Sequence, residues 1–434
     1  MPTVPSEPAP TVHDRALRVA VAAPVPSRPF LDLLGPEAAR LPEGYPGATP
    51  VWQLARDLVA AGHEVAVVAL AHDAEGPTRA ARGRLTLVYD HHRPRHSMRD
   101  FMRRERDAVR RALLALDPAP DLVHAHWCYE YALAALDSGL PTLVTLRDWA
   151  PAIVRHMDVR VWPYWLGRAA MYFLTLARAR HLVVNSPYLA ARVRPFTTAA
   201  VETIPNGVAD GAFVRPPDGA AAAAPLPPPA VDAALPLLLS VNNGFTPRKN
   251  VTTLLEAFAS LRHLHPAARL ELVGLGFEPE GPCAAWARRR RLADGVAFLG
   301  PLPHADILAR MREATVLVHP SLEESFGMTL VEAMSQATPV VAGRHAGAVP
   351  WVLAGGRAGV LVDTRDPRDL AAGVAALLAD EGLRAAVAAR GHAHAWRTFR
   401  QSVVTECYLE AYRRLLEEHQ GRRGPGRSGG AHEP

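Results

Sequence analysis

Short unbroken apolar runs alternate with helical repeats along most of this chain, and the alternation is interrupted once. Residues 17–24 read as an apolar strand, and apolar positions at helical spacing predict a helix over about 50–61. Strands are expected at 63–71 and 84–90, then a long helix near 97–116, then strands at 121–127, 141–147, 181–185 and 201–204. The interruption is GAFVRPPDGAAAAAPLPPPAVDAALP, residues 211–236, whose prolines and alanines suit a linker. Strands resume at 237–241, 269–274, 296–299, 316–320, 339–342 and 360–363, and a last helix is expected over about 402–418. Runs apolar throughout fit strands buried on both faces, and their alternation with helices implies mostly parallel sheets. The expected fold is therefore α/β: two doubly wound domains, 16–210 and 237–399, with a ligand cleft between them. The helix at 400–418 is expected to pack back on the first domain, and residues 1–15 and 420–434 to be disordered.

Composition narrows the class. With 434 residues, each domain can bury its own core. No run of about 18 apolar residues suggests a transmembrane helix, and the amino terminus shows no secretory signal pattern. Cys128, Cys283 and Cys407 are odd in number and far apart, as expected of reduced thiols in a cytoplasmic protein. The formal charge of +5 admits an acidic or phosphorylated partner. Of the 48 Lys plus Arg residues, one is lysine, Lys249, and 47 are arginine. A lone lysine in an arginine-rich chain points to a task that a planar guanidinium does not perform.

The densest chemistry lies in HPSLEESFGMTLVEAMSQATPVVAG, residues 319–343. A strand ends near Pro320, a polar loop carries Glu323, Glu324 and Ser325, and a helix begins near Gly327. The amides of Phe326, Gly327, Met328, Thr329 and Leu330 would form a helix amino terminus, which attracts phosphate. Glu332, about one turn into the helix, can accept two hydrogen bonds from a ribose diol, and Glu324 can hold sugar hydroxyls. The plainer alternative is a helix whose acids cap its own first turn.

This segment resembles the E-x7-E motif of the family 4 glycosyltransferases, retaining enzymes with the GT-B fold of two Rossmann-like domains. The resemblance runs over about residues 17–418. It places Lys249, in LSVNNGFTPRKNVTTLLEAF, at the family's phosphate-binding lysine, with Asn243 in the same donor loop. Gly244 stands where the family often has arginine, and Arg248 is the candidate to supply that charge. Gly274 and Gly276 in LELVGLG resemble the family's glycine turn beside the nucleotide. FEPEG, which follows, does not complete G-x-G-x-x-G, which counts against NAD.

In the first domain, Gly44, Pro46 and Gly47 before the helix are similar to the family's glycine-rich loop. DLVHAHW resembles the strand whose second histidine, here His126, faces the cleft; the alternative is that His124 and His126 are both satisfied in a core. PTLVTLRDW resembles T-x-H-D with Arg147 at the histidine position and Asp148 after it. Arginine does not deprotonate in proteins, so Arg147 cannot act as a base. The resemblance implies a front-face reaction that needs positioning and charge stabilisation, with Lys249, Arg248 and Glu324 as its catalytic residues. The alternative for Arg147 is a salt bridge to Asp148 or another local acid.

No D-x-D or His/Asp cluster has metal-ligand spacing, so no metal or cofactor is expected. The expected partners are a nucleotide-sugar donor and a hydroxyl acceptor. Residues 93–111 hold eight arginines and three acids around an apolar stripe, a candidate contact with an anionic membrane. The blander reading is a helix packed on the sheet, with Asp100–Arg104 and Asp107–Arg111 as i,i+4 pairs. Interleaved aromatics and a recognisable nucleic-acid module are missing, so nucleic acid is not an expected partner. Two alternatives to transfer remain: a non-catalytic binding or partner protein of the same fold, and a nucleotide-sugar epimerase.

Overall fold

The computed structural model describes residues 15–93, 97–156, 159–214 and 235–423. The expected disorder of the amino terminus falls on residues outside this range apart from residue 15, and most of the 211–236 linker and the end of the 420–434 tail lie outside it too.

The described chain divides into two compact units. The first holds residues up to Val184, then Val193–Ile204 and the chain from Thr405 onward; the second holds Asn185–Arg192 and Pro205–Val404.

The first unit is an eight-stranded sheet of β1 (Arg18–Ala22), β2 (Glu64–Ala71), β3 (Thr78–Arg82), β4 (Leu85–His91), β5 (Leu122–His126), β6 (Thr142–Leu146), β7 (His181–Val184) and β8 (Ala200–Thr203), in the order β3-β4-β2-β1-β5-β6-β7-β8. Every neighbouring pair is parallel except β3 with β4. β3 was not among the expected strands. Its sequence, TRAAR, buries only Ala80, so an edge strand this polar gives little apolar signal.

The second unit is a six-stranded, wholly parallel sheet of β9 (Leu237–Val241), β10 (Arg269–Val273), β11 (Val296–Gly300), β12 (Val316–His319), β13 (Val340–Gly343) and β14 (Val360–Val362), in the order β11-β10-β9-β12-β13-β14. Successive strand residues feed opposite cores. Leu238, Val316 and Val318 join Phe258 and Leu270 on one face, while Leu239, Leu317 and Val340 join Leu330 and Phe399 on the other. Two buried faces explain why these strands read as unbroken apolar runs. The strand order reverses between β9 and β12, so the loops leaving their carboxyl ends flank a topological switch point, the usual ligand site of such sheets. In the first unit, β1 and β5 hold the equivalent place.

The long helix expected over 97–116 is two pieces. A 3-10 turn, Ser97–Asp100, is followed by Phe101 and Met102 at positive φ, and then by the helix Arg103–Leu114. Its apolar side is turned inward, with Met102, Val109 and Leu113 buried. The expected i,i+4 pairs are replaced. Asp100 meets Arg93 at 2.7 Å, and Asp107 meets Arg103 at 3.8 Å. Arg93 also holds the buried Glu105 at 2.5 Å, a desolvated contact that outcompetes an exposed partner on the helix surface.

The final helix spans Gln401–Arg423, and from Thr405 it belongs to the first unit. Two buried tyrosines fix it there. Tyr412 Oη lies 2.7 Å from His124 Nδ1, and Tyr408 Oη 3.4 Å from Thr145 Oγ1.

Candidate active site

In the second unit the loop after β9 and the loop after β12 bring three charged side chains together. The first runs from Asn242 through a 3-10 turn, Pro247–Lys249, to Asn250, whose φ of 52° admits the sharp entry into the helix Val251–Leu264. The Asn250 side chain fastens that corner by donating to the carbonyls of Pro320 at 3.2 Å and Thr364 at 2.6 Å. Lys249 is thereby held largely buried, with Nζ donating to Glu324 Oε1 at 2.6 Å. His319, at the end of β12, lies 3.2 Å from the same oxygen through Nε2. Arg248 extends over the second loop, donating to the Glu323 carbonyl at 3.1 Å and standing 4.0 Å from Glu324 Oε2. Burial alone would raise the Glu324 pKa. The Lys249 ammonium, the His319 hydrogen bond and Arg248 outweigh it and hold the carboxyl well below the usual range.

The second loop is stitched from behind. Tyr188 donates to Glu323 Oε1 at 2.7 Å, Ser186 Oγ to the Ser325 carbonyl at 2.5 Å, and the Ala348 amide to the Glu324 carbonyl at 2.9 Å. Gly327 (φ 97°) then turns the chain into the helix Met328–Ser335. The first amides of any helix lack an intrahelical acceptor, so this end presents partial positive charge on the strand-end side of the sheet. Phe326 and Leu330 contribute only backbone to it. Their side chains are in the core, with the Phe326 ring against Trp351 and Phe399. Glu332, one turn in, accepts from His304 Nε2 at 2.9 Å, and that contact raises the His304 pKa.

Gly274 and Gly276 lie where the turn after β10 meets the β9 loop. A Cβ at Gly274 (φ 122°) would sit 1.7 Å from the Asn242 carbonyl oxygen, and one at Gly276 (φ 87°) 2.9 Å from the Phe245 amide nitrogen. Only glycine permits this approach. Asn243 is exposed on the same loop.

The first unit carries its own cluster at the ends of β5 and β6. His124 and His126 share one side of β5, as alternation requires, with rings 4.0 Å apart. Both are without exposed surface. His124 is satisfied by Tyr412 and by Thr145 Oγ1, each at 2.7 Å. Burial, then each other's proximity and Arg147, push the pKa of His126 well down, and burial with Arg147 does the same to His124. Arg147 faces His126 Nδ1 at 3.3 Å and the Tyr408 hydroxyl. Asp148 instead accepts from Tyr129 at 3.1 Å, and burial pushes its pKa up to about 6. Arg168 stacks 3.8 Å from the Tyr129 ring and pairs with Glu130 at 3.1 Å. Gly47 lies apart from these groups, at positive φ before the helix Thr49–Ala60.

Sequence reasoning singled out neither His319, His304, Ser186 and Tyr188 in the second unit nor Tyr129, Glu130 and Arg168 in the first. His319 alone had a local signal, as the last residue of a strand that opens the acidic loop. The others are brought in by distant elements, which spacing does not reveal.

Two family models match the chain: Glycosyltransferase Family 4 over residues 47–210 and Glycosyl transferases group 1 over residues 230–394. A D-inositol 3-phosphate glycosyltransferase of Acidothermus cellulolyticus is 31% identical over 337 residues, 72% of this chain and 71% of that protein. The chain belongs to the family 4 glycosyltransferases. The protein of the same name from Segniliparus rotundus is 34% identical over 248 residues, 56% of this chain, and there the match spans about half of the relative, 54%. Among solved structures, sucrose-phosphate synthase from Thermosynechococcus elongatus superposes with a TM-score of 0.72 at 22% identity, covering 92% of this chain and 99% of that one. Anabaena Alr3699/HepE in complex with UDP and glucose gives 0.64 at 18% identity, covering 91% and 98%. These likenesses show the GT-B fold, with its two Rossmann-like units.

Proposed function

We propose that this family 4 member transfers a glycosyl unit from a nucleoside-diphosphate sugar to a hydroxyl acceptor, with retention of configuration and without a metal ion. The observation that carries the reading is the second unit's switch point. Lys249, Arg248 and the amino end of the helix Met328–Ser335 supply positive charge there, next to two carboxylates. Positive charge so placed suits a diphosphate leaving group, which otherwise calls on a divalent cation. Glu332, held by His304, takes the ribose diol, and Glu324, oriented by Lys249 and His319, takes sugar hydroxyls.

In this reading the acceptor oxygen forms its bond to the anomeric carbon as the bond to the β-phosphate oxygen breaks. The acceptor's hydroxyl proton passes to that departing oxygen, on the same face, so no protein base is required. Arg147 suits such a reaction, since a guanidinium positions groups and stabilises charge without accepting a proton.

Incubation with UDP-, GDP- and ADP-sugars tests it. Release of one nucleotide, faster with a hydroxyl acceptor, is expected, with the product's anomeric configuration matching the donor by NMR. Turnover in EDTA should equal that without it. Inversion, or activity lost in EDTA and restored by a divalent ion, would overturn the corresponding part.

A further inference from the structure

In the first unit, loops leaving the carboxyl ends of the neighbouring strands β4, β2, β1 and β5 each bring a polar ring or a charge to one place. Tyr45 sits on the connection from β1 to the helix Thr49–Ala60, His72 follows β2 directly, His92 follows β4 directly, and Glu130 opens the helix after β5. The rings of Tyr45, His72 and His92 pack on one another: Tyr45 lies 5.0 Å from His72 and 5.7 Å from His92, and the two histidines are 4.5 Å apart. Arg168, on the helix Trp162–Arg178, pairs with Glu130 at 3.1 Å and reaches the Tyr164 hydroxyl at 3.4 Å. Tyr45 is close enough to respond to all three. Burial raises its pKa to about 12, Tyr164 and Glu130 add to the shift, and Arg168 opposes it. β1 and β5 flank this unit's switch point, where ligands of parallel sheets bind.

The backbone fixes the order of protons in this cluster. His72 Nδ1 lies 2.8 Å from the His92 carbonyl oxygen, which can only accept, so Nδ1 carries a proton and donates it. In the neutral ring that leaves Nε2 as an acceptor. Tyr45 Oη is bonded to this Nε2, so the phenol proton is committed to His72. Among the described residues Tyr45 has no second hydrogen-bond partner, and its oxygen keeps accepting lone pairs for an incoming donor. A hydroxyl is the donor that fits. An anion has no proton to give, and the charges beside Tyr45, Arg168 and Glu130, already neutralise each other. Tyrosine and histidine also present an apolar body behind a polar tip. A ring with hydroxyls on its rim and C–H groups on its faces matches both parts, whereas an apolar alcohol matches one.

We propose that Tyr45 accepts a hydrogen bond from a ring hydroxyl of the acceptor, with His72 as its positioning residue, and that the acceptor is therefore a polyhydroxylated ring, a sugar or a cyclitol. This rests on the transfer reading only in calling the ring an acceptor, because the ring should bind without any donor. Saturation-transfer NMR on the full chain with myo-inositol, glucose and cyclohexanol should show at least one of the two polyols bound. Cyclohexanol, the inositol ring with a single hydroxyl, should bind about tenfold more weakly. Y45F removes one oxygen and should weaken the polyol about fivefold. H72L should do the same without touching the ligand, and H72Q, whose amide oxygen can take the Tyr45 proton, should restore most of the binding. With a donor present, acceptor KM should rise by the same factor in Y45F and H72L while kcat stays within about twofold. Neither side chain is buried in the core, so thermal midpoints should hold. Failure of both polyols to bind, or unaltered binding in Y45F and H72L, overturns the proposal. Polyol binding that Y45F weakens, in a protein that releases no nucleotide from any donor, would sustain this site and sink the transfer reading.

Discussion

Lys249 Nζ stands 2.6 Å from Glu324 Oε1, so the only lysine of the chain and the first acid of its acidic motif form one buried ion pair across 75 residues. The two residues are therefore coupled in stability as well as in chemistry. A conserving change and a deleting change at Lys249 should part company.

Lys249→Ala leaves Glu324 buried beside a neutral residue. Removing one member of such a pair costs on the order of 3 kcal/mol, read as a lower urea midpoint. The acid side of the stability curve should also move. The Glu324 pKa is depressed in the folded protein, so its contribution is present above the unfolded carboxyl value and is lost as pH falls through the folded one. Without Lys249 that loss begins at higher pH.

Lys249→Arg keeps a cation near Glu324 and should retain most of the stability. Its guanidinium is planar and longer, so donor turnover should fall by at least about tenfold, the worth of one charge-assisted contact. Steady-state nucleotide release with the preferred donor measures this; full activity would show that the ammonium has no special task.

His304→Gln tests the support of Glu332. The His304 pKa is raised by Glu332, so the pair's contribution is complete below the unfolded histidine value and is lost as pH rises through the folded one. His304 is half exposed, which limits the effect to a few tenths of a kcal/mol. Donor KM should rise in the variant more than kcat falls, and the parent's KM should climb over the same pH window.

Asp148→Asn should flatten a different part of the pH profile. With its pKa raised to about 6, Asp148 binds a proton in the folded state that the unfolded chain has already released, so stability falls as pH rises from about 4 to 6. Thermal midpoints across that window should decline in the parent and stay level in the variant. Parallel slopes would place the titration elsewhere.

Gly274→Ala forces a Cβ to 1.7 Å from the Asn242 carbonyl oxygen at a φ of 122°. The β9 and β10 loops must separate, at a cost of at least about 2 kcal/mol. Chemical denaturation measures that cost, and donor affinity should fall with it.

Most of the architecture was legible because the strands are buried on two faces. Leu238 and Leu239 feed different cores, yet both must be apolar, and that duplication is what the pattern reveals. β3, polar and at an edge, escaped for the opposite reason. In the site, Lys249 stood out as the only lysine and Glu324 and Glu332 by their spacing, while the family resemblance was what set them together. The contact of Lys249 with Glu324 was not legible, nor was the service of His304, Tyr188 and Ser186, because hydrogen bonds across 28 to 139 residues leave no local trace. Arg147 shows the limit from the other side. Asp148 was one alternative partner for it, but consecutive residues at a strand end diverge, and Arg147 meets His126 and Tyr408 while Asp148 meets Tyr129.

The hydrogen bond from Tyr412 to His124 joins residues 288 apart. All residues of the second unit precede Thr405, while His124 of the first unit has only Thr145, one of its two partners, until the final helix exists. Synthesis therefore delivers the second unit's complete set of contacts before the first unit's, and the half of the chain made earliest is the last to close its core.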